Sequence, residues 1–232
     1  MPYIISLSPD IEKTKVESVF CHLISRHESL RTSIVLNDSV PMQYVHDKVD
    51  FKLVEYSIEK SEEASLRDAF IKPFDLSQAP LIRIAIVAIK DKGNLLMIDM
   101  HHIVSDGLSH IILEKEFLQL YSGENLSPLA LQYKDYSEWQ NSIEYQQKKK
   151  KQEDFWLKQF EDDIPVLKLP TDYERPVVQS NQGANVSFSL NKEETNCIKL
   201  LAEKNGLTLY MSVLSLFTLL ISKLSGQDDI II

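Results

Sequence analysis

The chain has 232 residues, 44% of them hydrophobic, which is enough for a substantial core in one large or two small domains. Its formal net charge of −9 opposes binding to a phosphate backbone, so a nucleic-acid partner is not expected. The two cysteines, Cys21 and Cys197, have neither metal-ligand nor disulfide-framework spacing. They indicate reduced thiols of a cytoplasmic protein.

The first ninety residues predict alternating helices and strands. Ser8 can cap a first helix in which Pro9 occupies the first position. The apolar residues of this helix fall on one face: Val16, Phe20, Leu23 and Ile24, with Val19 beside them. A strand over 51–58 and a short helix ended by Pro73 follow. The run LIRIAIVAIK, residues 81–90, is apolar at both alternating sets of positions, which predicts a central strand covered on both faces.

Residues 91–94 predict a turn, so that 95–104 returns as an antiparallel strand beside 81–90. A helix follows from Asp106, and its predicted apolar face consists of Leu108, Ile111, Ile112 and Leu118. Together, the antiparallel pair and the helices predict a layered α/β sandwich with a mixed sheet flanked by helices.

The second half of the chain predicts mainly helix, with one irregular segment. The lysines at 148–151 fit a solvated helix face, and a docking patch for an acidic partner is the lesser alternative. Residues 164–188 are interrupted by prolines and predict an extended linker. Asn191 and Glu194 form a capping box for the first of two further helices, which Gly206 separates.

The last helix is the one candidate for a membrane segment. The run from Leu207 to Leu224 is near the lower length limit for a span, about 17–25 residues. It contains several hydroxyl side chains and Lys223, and no aromatic belt flanks both ends. A helix buried on most sides is therefore the favoured interpretation, and no membrane partner is expected.

Two adjacent histidines, His101 and His102, close the strand predicted at 95–104. Neighbouring residues of a strand face opposite ways, so the two imidazoles cannot easily bind one metal ion. Asp106 and Gly107 follow at the strand-to-helix turn, where a carboxylate can cap the helix and glycine permits a close approach. The residues alone leave two alternatives open, a general base and a pair of hydrogen-bonded core histidines. Covalent catalysis lacks an obvious nucleophile.

The motif HHIVSDG, residues 101–107, resembles the HHxxxDG signature of nonribosomal peptide synthetase condensation domains. Four further segments resemble motifs of the same family in the same order: RHESLRT (26–32), FDLSQAPLIRIAI (74–86), YKDYSEWQ (133–140) and LPTDYERP (169–176). The resemblance extends over nearly the whole chain. It implies the chloramphenicol acetyltransferase-like fold of that superfamily.

The resemblance implies roles for the residues of this motif. His102 lies at the centre of the substrate channel, where it either accepts the proton of the acceptor amine or orients that amine. Gly107 lends its backbone N–H to the developing oxyanion. His101 has a supporting role, and Asp106 is structural, with Arg26 or Arg31 as its expected ion-pair partner. Tyr133 and Trp139 are interpreted as packing residues.

The resemblance also implies partners and boundaries. Upstream and downstream carrier domains present thioesters on phosphopantetheine, next to an adenylation domain, and the condensation domain itself binds no cofactor or metal. Residues 1–175 correspond to the N-terminal lobe without its first helix. Residues 176–232 correspond to the crossover and the start of an incomplete second lobe. Catalysis by this polypeptide alone is therefore not expected.

Two other functions remain open from the sequence. An epimerisation domain of the same superfamily shares both histidines but usually differs after the glycine, where this chain has LSHIILEKEF. A non-catalytic docking module that retains the motif by descent is the other alternative.

Overall fold

The structure is a computed structural model that describes residues 1–180 and 183–232. Two residues of the predicted linker, Asn181 and Gln182, lie outside this description. The chain divides into two compact units, Met1–Lys149 and Lys150–Ile232. The predicted lobe boundary after residue 175 stays a prediction.

Six strands, seven α-helices and two short 3-10 helices are present in the described residues. The strands are β1 (Pro2–Leu7), β2 (Thr32–Asn37), β3 (Val40–Val45), β4 (Val54–Ile58), β5 (Ile82–Ile89) and β6 (Gly93–Met100). The helices are α1 (Lys13–Arg26), α2 (Glu63–Phe70), α3 (Gly107–Ser122), α4 (Tyr133–Gln140), α5 (Ile143–Gln159), α6 (Lys192–Lys204) and α7 (Leu209–Ser225).

The main sheet of the first unit has the strand order β1-β6-β5-β4. β6 pairs antiparallel with both β1 and β5, while β4 pairs parallel with β5. On β5, Ile84 and Ile86 belong to the core that α1 and α3 cover. Ala85 and Val87 belong to a second core together with Phe70 of α2. The continuous apolar run therefore reflects burial on both faces, and the predicted central strand and its antiparallel return are confirmed.

A separate two-stranded sheet, β2–β3, was not predicted from the sequence. Asp38 and Ser39 form its turn with positive φ angles of 49° and 66°, values that suit a tight hairpin turn. Most of its residues are exposed, and its apolar residues do not alternate cleanly with polar ones. The hydrophobic periodicity of this segment therefore does not identify its two strands.

The first helix begins later than predicted. α1 starts at Lys13, and its N-cap, Glu12, makes no side-chain capping hydrogen bond. Ser8 instead belongs to a preceding turn, in which its carbonyl accepts from the Ile11 N–H at 3.2 Å. The predicted apolar face is confirmed, because all of its members are buried: Val16, Val19, Phe20, Leu23 and Ile24.

The predicted apolar face of α3 is wrong. The buried residues of this helix are Leu113 and Phe117, at 7% and 9% exposure. The four residues predicted to be buried are exposed: Leu108, Ile111, Ile112 and Leu118. Apolar residues occur on almost every side of α3, so their spacing does not select the side that packs against α1 and the sheet.

Alanine substitutions on α3 test this correction. Phe117→Ala is expected to lower the free energy of unfolding by about 3–5 kcal/mol, because it leaves a cavity in the core. Ile111→Ala, at a site that is 64% exposed, is expected to change it by no more than about 0.5 kcal/mol. Chemical denaturation of both variants measures the difference, and equal losses would contradict the assignment.

In the second unit, α6 and α7 form where predicted, but the prediction that the last helix is buried on most sides is wrong, because only Ser212 and Ile221 of α7 are buried. Asn191 and Glu194 make the expected capping box, and the Thr208 hydroxyl caps α7. Residues between α5 and α6 form no regular element where they are described. The side chain of Gln227 fixes part of this segment by accepting from the Lys168 N–H at 2.8 Å and donating to the Val166 carbonyl at 3.2 Å. The predicted irregular backbone is confirmed for the described residues, but the segment lies within the second unit and does not link the two units.

Two surface features of the helices were also predicted. All four lysines at 148–151 are exposed, as expected for a solvated face. Of the helices that the structure describes, none alone has the length and apolar character of a membrane span. α6 and α7 meet that test only as a pair, bent by 107° at the break between them.

Candidate active site

The histidine motif lies in the connection between β6 and α3. β6 ends at Met100, so the strand stops four residues earlier than predicted. The His101 N–H still bonds to the Leu81 carbonyl at 3.0 Å, as a strand residue would. The Val104 N–H then donates back to the His101 carbonyl at 3.1 Å, and this turn leads the chain away from the sheet.

His101 is held by local contacts. Its Nδ1 accepts a hydrogen bond from the Ile103 N–H at 3.1 Å, and its carbonyl accepts from the Ser105 hydroxyl at 3.1 Å. Its ring meets Phe74 in an edge-on contact with the ring centroids 6.0 Å apart. The imidazole is half-buried and engaged in fixing the turn.

His102 is exposed and lines a cavity of about 420 Å³ in the first unit. That volume is typical of the lower range of small-molecule sites, about 300–1,000 Å³. The cavity lies between this turn, the β2–β3 hairpin and the start of α4. Its lining residues are Ser29, Thr32, Ile34, Pro41, Met42, Gln43, His102, Ile103, Val104, Ser105, Asp106, Ser109 and Tyr133. The hairpin side of the cavity was missed by the sequence analysis together with the hairpin itself.

Asp106 caps α3. Its Oδ1 accepts from the Ser109 N–H at 2.8 Å and from the Ser109 hydroxyl at 2.7 Å, while the hydroxyl accepts from the Asp106 N–H. The Ser109 backbone N–H, and after it the Ser109 hydroxyl, lowers the pKa of this carboxyl below its ordinary value. The capping function that the sequence predicted is confirmed.

The expected ion pair between Asp106 and Arg26 or Arg31 is wrong. Asp106 is exposed, and the helix N-terminus satisfies its carboxylate. Arg26 instead pairs with Glu116 of α3, with Nε 3.1 Å from Oε2. Arg31 donates to the His46 carbonyl and lies 3.4 Å from Glu28.

Glu116 is the centre of a polar cluster that the sequence analysis missed. Besides Arg26, it bonds to His27, whose Nε2 is 2.6 Å from Oε2. Arg26 also donates to the Ser127 carbonyl at 2.6 Å. The cluster joins the end of α1 to α3 and to the chain that leads to α4, so the ion-pair partner of Arg26 is Glu116 and not Asp106.

Gly107 is the first residue of α3 and is exposed, so its backbone N–H belongs to the helix N-terminus. A Cβ built at this position would have no atom of the described chain within 4 Å. Packing within the described chain therefore does not require glycine here.

The two aromatic residues interpreted as packing residues differ in their surroundings. Trp139 packs against Tyr145 with ring centroids 4.4 Å apart and against Tyr136 at 5.6 Å. Tyr133 contacts Tyr136 at 6.0 Å but also lines the cavity beside His102. Within the described residues, no group of three or more His, Cys, Asp or Glu side chains could hold a metal ion.

The cap at Asp106 gives a testable difference between two substitutions. Asp106→Ala is expected to lower the melting temperature by about 2–4 °C, because Ser109 loses its acceptor. Asp106→Asn should stay close to the unchanged protein, since asparagine caps helices about as well as aspartate. The contribution of the ionised carboxylate is present above its unfolded-state pKa and is lost as the pH falls through the lowered pKa. Thermal unfolding at neutral and acidic pH measures both effects, and equal losses for Ala and Asn would contradict the capping account.

Solved structures share this fold. The X-domain from teicoplanin biosynthesis matches 97% of the chain with a TM-score of 0.82 and 22% identity, over 52% of its own length. The condensation domain from the monacolin K polyketide synthase matches 97% with a TM-score of 0.74 and 17% identity, over 54% of its length. The predicted fold is confirmed: a chloramphenicol acetyltransferase-like α/β structure with the histidine motif at a strand-to-helix turn.

The family model "Condensation domain" matches residues 1–232, and the chain belongs to that family. It is 46% identical to bacitracin synthase 2 from Bacillus licheniformis and 47% identical to a plipastatin synthase from Bacillus subtilis (strain 168). It is 43% identical to gramicidin S synthase 2 from Aneurinibacillus migulanus. Each match includes the whole chain, which spans only 9%, 9% and 5% of these three proteins, respectively. The predicted family is thereby confirmed.

Proposed function

We propose that the chain carries the histidine-bearing part of a condensation site. This site forms an amide bond between a carrier-bound donor acyl or peptidyl thioester and the amine of a carrier-bound acceptor aminoacyl thioester. The observation that carries the proposal is the exposed imidazole of His102 at a cavity of substrate size, within a chain of the condensation-domain family.

The chemistry suits the residues at the turn. The acceptor amine attacks the donor carbonyl carbon, the C–N bond forms, and the thiolate of the donor arm leaves. An ammonium must lose a proton before this attack, and His102 either takes that proton or orients the amine. The N–H of Gly107, at the positive end of α3, stabilises the oxyanion in this proposal.

The neighbouring residues serve the geometry. His101 and Ser105 fix the turn, and Asp106 fixes the start of α3 on which Gly107 lies. Arg26 acts at a distance through Glu116. A rigid support of this kind limits the movement of the reacting groups, and holding two tethered substrates together contributes much of the rate.

The proposal includes partners. Upstream and downstream peptidyl carrier domains deliver the substrates on phosphopantetheine arms, and an adjacent adenylation domain loads a carrier, all in the cytoplasm. The relatives are named as synthases of bacitracin, plipastatin and gramicidin S, which supports this arrangement. The condensation site itself binds no cofactor in this proposal.

The test uses the full-length protein with loaded donor and acceptor carriers. The donor aminoacyl group carries deuterium at its α-carbon, and mass spectrometry follows the carrier-bound products. We expect a dipeptidyl thioester that retains the deuterium. Loss of deuterium without a dipeptide would identify an epimerisation domain, and unchanged substrates would identify a non-catalytic module. Either result would overturn the proposal.

A further inference from the structure

We infer that the cavity beside His102 selects for an uncharged, largely apolar side chain on one of the two aminoacyl substrates and rejects an acidic one. This inference rests on the proposed function and adds a substrate class to it. It follows from which residues line the cavity, and above all from the charges that are missing there.

One side of the cavity is an apolar wall. Ile34, Pro41 and Met42 of the β2–β3 hairpin form part of it, and Ile103 and Val104 of the histidine turn form another. An apolar side chain that enters this space removes apolar surface from water on both partners, which favours binding in proportion to the apolar area buried.

The wall on the hairpin has a fixed position. The Ile34 N–H bonds to the Leu76 carbonyl at 2.7 Å, which joins β2 to the segment before β5. Gln43 of β3 donates to the Ser137 hydroxyl of α4 at 3.3 Å. The apolar wall is therefore attached on both strands, and a fixed wall discriminates between side chains better than a mobile one.

The described residues that line the cavity include no permanently cationic side chain to balance an anion. None of the described residues that line it is a lysine or an arginine. Asp106 contributes a carboxylate instead, and the hydrogen bonds from Ser109 keep the pKa of this carboxyl low, so that it is ionised at neutral pH. An acidic side chain in the cavity would lose water and meet a like charge.

Three of the five side-chain hydroxyl groups that line the cavity are already committed to hydrogen bonds within the protein. Thr32 donates its hydroxyl proton to the Glu28 carbonyl at 2.7 Å. Ser105 donates to the His101 carbonyl, and Ser109 donates to Asp106. These three groups cannot donate to a substrate carboxylate without breaking a bond within the protein, which adds to the penalty on an acidic side chain.

The experiment compares leucyl, glutaminyl and glutamyl thioesters in the full-length protein. Each is tested once as donor with a fixed acceptor and once as acceptor with a fixed donor, by rates of dipeptidyl thioester formation. In one of the two positions we expect glutamate to react at least tenfold more slowly than glutamine, its uncharged counterpart of similar size, with leucine at least as fast as glutamine. The position that discriminates identifies the substrate held in the cavity.

Equal rates for glutamate and glutamine in both positions would overturn the inference while leaving the proposed function intact. Absence of product from every substrate would overturn the proposed function and the inference together. The set of substrates therefore distinguishes failure of the inference from failure of the proposed function.

A charge placed in the cavity provides a gain-of-function test. Met42→Lys, on β3, is expected to reduce the preference for glutamine over glutamate about tenfold. Leu36→Lys is the matched control, because it adds the same charge to the same hairpin at an exposed site outside the cavity. Tyr133→Lys introduces a positive charge at the cavity from α4, so its effect does not depend on how the hairpin folds. A preference unchanged by both cavity variants, or reduced equally by Leu36→Lys, would overturn the inference.

Discussion

Replacing His102 by alanine is expected to lower the single-turnover rate of amide formation in the full-length protein by about 10²–10⁴-fold. The imidazole is exposed at the cavity, and no other histidine lines it among the described residues. The variant therefore has no second imidazole among the described lining residues that could replace it there. The residual rate comes from bringing two tethered substrates together.

The stability of this variant should change little. His102 is exposed, and substitutions at such positions usually change the free energy of unfolding by no more than about 0.5 kcal/mol. His22→Ala on α1 is the matched control, because it removes another exposed imidazole far along the chain from the motif. A His102→Ala variant that forms product as fast as the control would remove His102 from the mechanism.

Replacing Glu116 by alanine is expected to lower the free energy of unfolding by about 3 kcal/mol. Its side chain is only 12% exposed, and it is the shared partner of Arg26 and His27. When the Glu116 carboxylate is removed, the Arg26 guanidinium keeps its hydrogen bond to the Ser127 carbonyl but loses its counter-ion. An unpaired charge at this depth is costly because its hydration is not restored.

The appropriate comparison is an exposed ion pair. Glu63→Ala removes the partner of Lys92, and both side chains are more than one third exposed. The loss there should be below about 1 kcal/mol. Chemical denaturation measures both variants, and a Glu116→Ala loss as small as that of Glu63→Ala would show that the cluster does not stabilise the junction of α1 and α3.

The sequence predicted elements best where burial is extreme. β5 is covered on both faces, so its composition alone indicated a central strand, and the turn at 91–94 indicated its antiparallel partner. α3 shows the opposite case. Its apolar residues surround the helix, and only the packing of Leu113 and Phe117 against other elements determines its buried side.

At the site, contacts between residues close in sequence were predictable, whereas contacts between distant residues were not. The cap at Asp106 involves a residue three positions away and was predictable from the turn chemistry. The partner of Arg26 is Glu116, 90 positions along the chain, and several acidic residues were equally compatible with it in the sequence. The cavity wall could not be predicted because the β2–β3 hairpin has weak alternation and no buried apolar face.

The central claim is that carrier-bound substrates meet beside His102. A direct measurement uses the full-length protein and an acceptor carrier whose phosphopantetheine arm ends in a bromoacetyl group, which alkylates a nearby imidazole with loss of bromide. Peptide mass spectrometry then locates the modified residue. We predict modification of His102, lost in His102→Ala and retained in His22→Ala. Modification confined to other parts of the protein, with His102 unmodified, would contradict the account.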